Sequence, residues 1–299
     1  MLRDTSYALV RRLNFIESAL REYSNQRGIS KIIIADIGCG TGELLTLPLS
    51  LKLGNAASIY AYEPEAESYT HLCQQIEDLG IDNIYPIQQI ELLQIRTYDA
   101  IIVSEVIEHV QDPIGFLKNF RKLLKKLGVM IITTPNGYGI FEIETLLFNS
   151  LDLIGVIPFL KNVRMRFTRS RAISIKPAHA DTLAISPHIN FFTLGELYLM
   201  LHEVGLSLIK IEGRNLAAGP FSDRIIDKSN YLIELNSRLG KILPLVLAAD
   251  WMLIAENKEI SSQNNKPYQN KRKSNLLQNI YTKYKRWLNL SLSRRQQIS

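Results

Sequence analysis

Cysteine is scarce in this chain, and its scarcity excludes one large class of protein. Only two of the 299 residues are cysteines, Cys39 and Cys73, which is too few for a disulfide framework and indicates a reducing compartment. Long apolar runs are also missing, since the most apolar stretch, residues 146–160, is interrupted by polar residues, glycine and proline and is too short to span a bilayer. Residues 1–27 are charged and amphipathic, so we expect no signal peptide there and a cytoplasmic location.

Acidic residues are missing from the C-terminal part of the chain. Between residues 260 and 299 there are nine lysines and arginines and no aspartate or glutamate. Because the whole chain has a formal net charge of only +6, the remainder is slightly acidic and the basic character is local. Residues 261–274 are polar without an apolar face, which predicts a flexible linker.

A basic amphipathic helix is predicted after this linker. Its apolar residues recur at helical spacing among lysines and arginines. They are Leu276, Leu277, Ile280, Tyr281, Tyr284, Trp287 and Leu288, with Lys283, Lys285 and Arg286 between them. Three interpretations stay open: an anchor at a membrane surface, a contact with a partner or nucleic acid, and a solvated tail. A membrane surface is favoured over nucleic acid, because the acidic remainder offers no second basic surface.

The most informative segment of the chain is a strand that enters a glycine turn. An apolar run from Ile32 ends in Asp36, and glycines follow at positions 38, 40 and 42. Glycine permits a positive φ and leaves no side chain where a backbone approaches a ligand closely, and a helix N-terminus after the turn adds partial positive charge. The acid two residues before the first glycine favours a ligand without phosphate, because an aspartate beside a pyrophosphate would repel it.

This segment, D-I-G-C-G-T-G, resembles the first motif of the class I S-adenosylmethionine-dependent methyltransferases. The resemblance implies S-adenosylmethionine as the cofactor and an α/β fold with a Rossmann-like, doubly wound sheet of seven strands, six parallel and one antiparallel. Residues implied to contact the cofactor here are Asp36, Gly38, Cys39, Gly40 and Gly42. The resemblance to this family extends over residues 31–256.

Two further cofactor contacts follow from the next strands. A predicted second strand, residues 57–62, ends in Glu63, at the spacing from the glycines where a carboxylate accepts both ribose hydroxyls; alternatively, Glu63 caps a turn with Pro64. A third strand is predicted over residues 84–89. Where the family usually has an aspartate for the adenine amino group, this chain has glutamine, and the amide oxygen of Gln89 is the predicted acceptor.

The predicted fourth strand, residues 98–104, is almost continuously apolar, which is typical of a central parallel strand. It is followed by E-V-I-E-H-V-Q-D-P, which resembles the ubiquinone-biosynthesis type of O-methyltransferase and implies cofactor contacts from Ser104 and Glu105. Asp112 and the proline after it predict a helix start, with apolar residues at helical spacing up to a stop at Gly128.

The rest of the sheet is predicted from three apolar segments. A fifth strand, residues 129–134, leads into P-N-G, which resembles the family's T-x-P-N-type turn and implies a turn over the active site. Strands six and seven are expected at residues 206–212 and 250–256. Thr193 and Glu196 form a predicted capping box at the start of a helix that ends before a glycine at position 205.

A cluster of acids and histidines supplies the candidate chemistry. If residues 105–109 are helical, Glu105, Glu108 and His109 lie on one face. Together with His188 they resemble the metal-binding set of small-RNA 2′-O-methyltransferases, which implies a divalent metal such as magnesium that lowers the pKa of an acceptor hydroxyl. The alternative is catalysis without metal, in which Glu105 contacts only the cofactor and His109 or His188 is the general base, beside Glu108.

An insertion at residues 140–186 separates the fifth strand from the sixth. Its first half is apolar and its second half is basic, through Lys161, Arg164, Arg166, Arg169, Arg171 and Lys176. We interpret it as a helical lid over the acceptor, able to take a lipid-linked substrate at a membrane interface; a plain packing helix is the alternative.

The sequence therefore predicts three regions. Residues 1–30 form an N-terminal capping helix over the cofactor site, residues 31–256 a methyltransferase domain, and residues 257–299 a basic flexible tail. The predicted function is O-methylation of a small or lipid-linked acceptor, such as a quinone precursor or a glycan intermediate, by a cytoplasmic or peripheral membrane enzyme. An RNA 2′-O-methyltransferase and a non-catalytic cofactor-binding module are the alternatives.

Overall fold

A single mixed sheet organises the protein. The computed structural model describes residues 7–156, 188–217, 219, 221–226, 229–258, 283–285 and 287. The strands are β1 (Ile32–Ile37), β2 (Ala57–Tyr62), β3 (Ile84–Ile87), β4 (Tyr98–Ser104), β5 (Leu124–Pro135), β6 (Ser207–Gly213) and β7 (Asp250–Glu256). Their order is β3-β2-β1-β4-β5-β7-β6. Only β7 runs antiparallel to its neighbours β5 and β6, which confirms the predicted sheet of six parallel strands and one antiparallel strand.

The strand order changes direction at the centre of the sheet. From β1 the chain adds β2 and β3 on one side and then crosses to the other side to add β4. β1 pairs with β2 on one side and with β4 on the other, with Ile37 opposite Val103. β1 and β4 are buried on both faces, as their continuous apolar sequences predict. In doubly wound folds, ligands bind beyond the carboxyl ends of the strands at this switch point. The glycine turn after β1 and the acidic segment after β4 therefore leave the sheet side by side.

Helices cover both faces of the sheet. They are α1 (Tyr7–Arg27), α2 (Thr46–Leu53), α3 (Ala66–Leu79), α4 (Ile90–Leu93), α5 (Pro113–Arg121), α6 (Ile140–Leu153), α7 (Leu194–Glu203), α8 (Asp223–Ile226) and α9 (Asn230–Ile242), with short 3-10 helices at Gly54–Ala56 and Leu245–Leu247. One core contains apolar residues of α1, α2 and α3, and the second contains those of α5 and α7. The result is a three-layer α/β arrangement.

Two predicted helix starts are confirmed by their caps. The Asp112 carboxylate accepts a hydrogen bond from the Gly115 N–H at 2.9 Å at the start of α5. Thr193 and Glu196 form a reciprocal capping box at the start of α7. Such caps satisfy backbone donors that have no partner within the helix.

The predicted continuation of α5 to Gly128 is wrong. This helix ends at Arg121, and β5 begins at Leu124, opposite Tyr98 of β4. A register shift follows, and Leu127 adopts a φ of +59°, so the apolar spacing belongs to an irregular strand and not to a helix. Gly128 is required by close packing, because a β-carbon there would lie 2.9 Å from the Lys125 carbonyl oxygen and 3.1 Å from the Asp99 carbonyl oxygen.

The flanking regions are only partly described. Within residues 7–27, α1 buries Ile16 and Leu20 in the core against the sheet, so it is a packing helix along most of its length. The predicted linker at residues 261–274 and the basic half of the insertion lie outside the described residues. Of the apolar half, residues 140–153 form α6, and residues 157–160 also lie outside the described part. In the described part of the chain, no helix is both long and apolar enough to cross a membrane.

Candidate active site

The glycine turn is held in place by the end of the neighbouring strand. The N–H groups of Gly38 and Cys39 donate to the Tyr62 carbonyl oxygen at 2.8 and 3.1 Å. Gly38, Gly40 and Gly42 have φ values of +69°, +58° and +78°, a region that residues with a β-carbon rarely adopt. The backbone of this turn therefore requires glycine at all three positions.

The three glycines differ in what their missing side chains would meet. A β-carbon at Gly38 would lie 2.9 Å from a methyl group of Val106, and one at Gly42 would lie 2.5 Å from Leu72. At Gly40 nothing lies within 4 Å. Gly38 therefore allows close contact between the turn and the segment after β4, whereas Gly40 borders open space beside the sheet edge.

Asp36 lies beneath the turn. Its Oδ2 atom accepts a hydrogen bond from the Thr46 hydroxyl, the first residue of α2, at 2.7 Å. Burial raises the pKa of Asp36 to about 6, against the opposing effects of the Thr46 hydrogen bond and the charge of Arg12. The side chain thus ties the end of β1 to the start of α2.

Glu63 joins the turn to the end of β2. Its Oε2 atom accepts from the Gly40 N–H at 2.8 Å and its Oε1 atom from the Glu65 N–H at 2.9 Å. Each carboxylate oxygen has two lone pairs, so both oxygens retain capacity to accept from a ligand. The predicted turn-capping role and the predicted ribose contact are compatible.

The remaining predicted cofactor residues lie beyond β3 and β4. Gln89 is exposed and occupies the N-cap position of α4, after a strand that ends at Ile87 and not at Gln89. The hydroxyls of Ser104 and Thr133 are 2.9 Å apart, and Thr133 donates to Glu105 at 2.8 Å. Since the Thr133 proton is used toward Glu105, Ser104 is the donor to Thr133.

Glu105 is enclosed by arginines. Its Oε1 atom lies 3.4 Å from Arg214 and 3.8 Å from Arg12, and Arg214 also pairs with Asp250 at 2.7 Å. Burial favours the neutral acid, but the charges of Arg214 and Arg12 outweigh it and hold the pKa of Glu105 below its ordinary value. Glu105 is thus a half-buried anion whose charge is already compensated.

Residues 105–109 are not helical, so Glu105 does not share a helix face with Glu108 and His109. Glu105 has a φ of +57°, which reverses the chain directly after β4. A tight turn follows, in which the His109 N–H donates to the Val106 carbonyl oxygen at 3.0 Å. Glu105 consequently contacts the arginines and does not belong to the predicted four-ligand metal set.

Glu108, His109 and His188 do come together. One potential ligand atom from each lies within 4.8 Å of the others, and the two imidazole centroids are 4.9 Å apart. His188 arrives because the N–H groups of Ile189 and Asn190 both donate to the Glu108 carbonyl oxygen at 2.9 Å. We call these three residues the acid–histidine cluster.

Burial dominates the electrostatics of the acid–histidine cluster. Glu108 is only 1% exposed, and burial, reinforced by the charge of Glu105, raises its pKa to about 8. Thr134, at the end of β5, donates to its Oε2 atom at 3.3 Å, while its Oε1 atom has no hydrogen-bond partner among the described residues. Glu108 is therefore mainly protonated at neutral pH.

Sequence reasoning missed Glu142, in the first turn of α6. Its Oε1 atom lies 2.9 Å from Nδ1 of His188. Burial lowers the pKa of His188, but the Glu142 hydrogen bond and charge outweigh it and raise that pKa above its ordinary value. The available signal was an acid near the start of a largely apolar helix, which is costly to bury without a partner.

Sequence reasoning also missed Arg12, which α1 buries beside Glu105. Burial, with the charge of Arg214, lowers its pKa. Its Nε atom has no hydrogen-bond partner within the described parts of the chain. The signal was the position of Arg12 on the same helical face as the buried Ile16 and Leu20.

Comparisons with known proteins agree with this geometry. A family model of the methyltransferase domain matches residues 4–211. "Ubiquinone biosynthesis O-methyltransferase" of Rickettsia typhi is 33% identical over 140 residues, which cover 45% of this chain and 54% of the relative. The protein of the same name from Rickettsia prowazekii is 34% identical over 137 residues, covering 45% and 53%. The chain thus spans about half the length of these curated relatives.

A solved structure supports the fold. The S-adenosylmethionine-dependent methyltransferase from Clostridium acetobutylicum ATCC 824 superposes with a TM-score of 0.50, covering 81% of this chain and 90% of that one. At 11% sequence identity, this likeness concerns the fold alone.

Proposed function

The chain belongs to the methyltransferase-domain family, and on this premise we propose that it transfers the methyl group of S-adenosylmethionine to a hydroxyl oxygen of a small acceptor. One observation carries the proposal. Gly38 of the glycine turn packs against Val106, which lies between Glu105 and Glu108. The predicted cofactor turn and the acid–histidine cluster are therefore neighbours at the carboxyl edge of the sheet.

The residues around the turn fit S-adenosylmethionine. Glu63 retains lone pairs for the ribose hydroxyls, and the space beside Gly40 allows close approach to its backbone. The buried Nε donor of Arg12 has the charge and chemistry to bind the cofactor carboxylate. Gln89 and Ile90, at the end of β3, would contact the adenine. Bound at this place, the cofactor supplies a methyl group already activated by a sulfonium.

The acid–histidine cluster would handle the acceptor. His188 is the general base that we propose, because Glu142 holds its Nδ1 nitrogen and assigns the proton-accepting role to Nε2. Protonated Glu108 has a hydrogen to donate toward the acceptor oxygen, which would orient the hydroxyl. Most of the rate gain then comes from positioning two reactants side by side.

Metal-assisted transfer is a second candidate, which the compactness of the acid–histidine cluster favours. One carboxylate and two imidazoles suit Zn²⁺ or Mn²⁺ better than Mg²⁺, which prefers oxygen ligands. A bound ion would lower the pKa of the acceptor hydroxyl, but it would also have to displace the proton of Glu108. Methyl transfer that persists in the presence of a strong chelator supports His188 as the base. If the chelator abolishes methyl transfer and added Zn²⁺ or Mn²⁺ restores it, a metal ion has that role.

The acceptor that we propose is a hydroxyl-bearing quinone precursor, by analogy with the relatives named for ubiquinone biosynthesis. A lipid-linked acceptor, presented to a peripheral enzyme at a membrane surface, is consistent with the aromatic side chains of Tyr284 and Trp287, which are 42% and 54% exposed. A glycan intermediate and an RNA 2′-hydroxyl are the alternatives. A nucleic acid is disfavoured by the slightly acidic charge of the folded part.

The experiment combines binding and transfer. Isothermal titration with S-adenosylmethionine should show binding, and a labelled methyl group should then appear on catechol-type quinone precursors in preference to glycans or RNA. Labelling of RNA would replace the proposed acceptor. Cofactor binding without transfer to any hydroxyl acceptor would leave only a binding module, and absence of cofactor binding would contradict the enzyme proposal.

A further inference from the structure

Two described residues from the basic C-terminal part of the chain, Tyr284 and Lys285, lie close to the acid–histidine cluster or to the helix beside it. Lys285 is only 1% exposed, although the sequence places it among the solvent-facing charges of a tail helix. Its Nζ atom donates to Oε2 of Glu142 on α6, and it lies 4.3 Å from the centroid of the Phe191 ring. The Tyr284 hydroxyl lies 3.3 Å from that of Ser150, also on α6. The segment is therefore seated on α6 through two consecutive residues.

The Glu142 carboxylate lies between the imidazole of His188 and the ammonium group of Lys285. Its Oε1 atom faces Nδ1 of His188, and its Oε2 atom accepts from Lys285. All three side chains are buried. Both carboxylate oxygens are thus engaged, one toward the acid–histidine cluster and the other toward the C-terminal segment.

A lysine is costly to bury, and it persists in the interior only with a partner of opposite charge. Burial lowers the pKa of Lys285, against the opposing attraction of Glu142. Burial alone would raise the pKa of Glu142, but His188 and Lys285 outweigh it and hold that pKa below its ordinary value. Lys285 thus places a positive charge beside Oε2 of Glu142, while Oε1 of the same carboxylate faces His188.

We propose that Lys285 is a positioning residue of the active site. It fixes the Glu142 carboxylate, Glu142 accepts the Nδ1–H of His188, and His188 is thereby oriented with Nε2 toward the acceptor. The C-terminal segment is then part of the catalytic apparatus. This role rests on the proposed function, since it acts through His188.

Full-length variants at two lysines test the proposal. Lys285→Met removes the charge and keeps much of the length, Lys285→Arg keeps the charge, and Lys283→Met is the matched control, because Lys283 is an exposed lysine of the same segment. Lys285→Met should lower kcat about 10- to 100-fold, the usual scale for partners that orient catalytic groups, with the Kd for S-adenosylmethionine unchanged. Lys285→Arg should recover part of kcat, and Lys283→Met should match the wild type.

A spectroscopic readout separates this proposal from the proposed function. The hydrogen-bonded Nδ1–H proton of His188 should give a downfield NMR resonance, identified by its loss in His188→Asn. It should persist in Lys283→Met and shift or disappear in Lys285→Met, whether or not the protein methylates an acceptor. An unshifted resonance and an unchanged kcat in Lys285→Met would overturn the positioning role, as would parallel losses of kcat, cofactor affinity and thermal stability.

Discussion

The proposed cofactor side and the proposed acceptor side of the site are built in different ways. The glycine turn, with Asp36 and Glu63, comes from one short stretch of the chain and is closed by backbone hydrogen bonds to β2. The acceptor side joins Glu108 to residues far away, since Glu142 and His188 are 46 residues apart and Lys285 lies 143 residues beyond Glu142. The glycine turn is thus built by residues close together in the sequence, whereas the acid–histidine cluster and its partners are brought together by long-range packing.

This comparison predicts that the two sides can be disabled separately. The largest effect is expected from Gly38→Val on the cofactor side. A β-branched residue at a φ of +69° is strained, and its β-carbon would overlap Val106 at 2.9 Å. Titration with S-adenosylmethionine should show no binding while circular dichroism shows a folded domain.

The matched control for this prediction is Gly28→Ala. Gly28 also has a positive φ, +64°, but a β-carbon there meets nothing within 4 Å and it lies after α1, outside the site. This variant should lose about 1 kcal/mol of stability and bind the cofactor normally. Normal binding by Gly38→Val would show that the glycine turn is not the cofactor site.

The next largest effect is expected at Glu63. Glu63→Ala removes the carboxylate that accepts from Gly40 and that we propose for the ribose, and it should weaken cofactor binding by about 1–3 kcal/mol. Glu63→Gln keeps one acceptor oxygen and should lose less. Equal Kd values for Glu63→Ala and the wild type would reduce Glu63 to a turn-capping residue.

A further effect, on the pH dependence of stability and not on cofactor binding, is expected at Asp36. Burial raises its folded pKa to about 6 from an ordinary 3.8, so the folded state binds the proton more tightly than the unfolded state. Asp36 therefore costs stability as the pH rises from about 4 to about 6, and the full cost persists above that range.

Asp36→Asn removes this cost and can still accept a hydrogen bond from Thr46. Urea unfolding at pH 4 and pH 7.5 should show the variant gaining up to about 3 kcal/mol on the wild type between the two values. A stability difference that does not change with pH would contradict the assigned titration of Asp36.

The sequence allowed more of the cofactor side to be predicted than of the acceptor side. The strand pattern, Asp36 and the glycines were predictable because apolar periodicity and turn chemistry act over a few residues. The helix predicted to reach Gly128 failed, because the irregular start of β5 repeats leucines at a helical interval. The cluster was predicted in part, but no local pattern reports the left-handed backbone of Glu105 or its contacts with Thr133 and Arg214.

Arg12, Glu142 and Lys285 were not predictable as site residues. Each is a charged side chain on a helix whose surroundings come from other parts of the chain, and burial of a charge is decided by those partners. Lys285 shows this most clearly, since a basic amphipathic tail predicts an exposed lysine.

The proposed cofactor side and the proposed acceptor side meet at one sheet edge, and we expect cofactor binding not to require the acceptor side. The most direct test measures S-adenosylmethionine affinity and methyl transfer in the wild type and in the double variant Glu108→Ala, His188→Asn. We expect both proteins to have the same Kd for S-adenosylmethionine, and only the wild type to transfer a methyl group to a hydroxyl acceptor. Equal transfer by the double variant, or loss of its cofactor binding while it stays folded, would contradict the account.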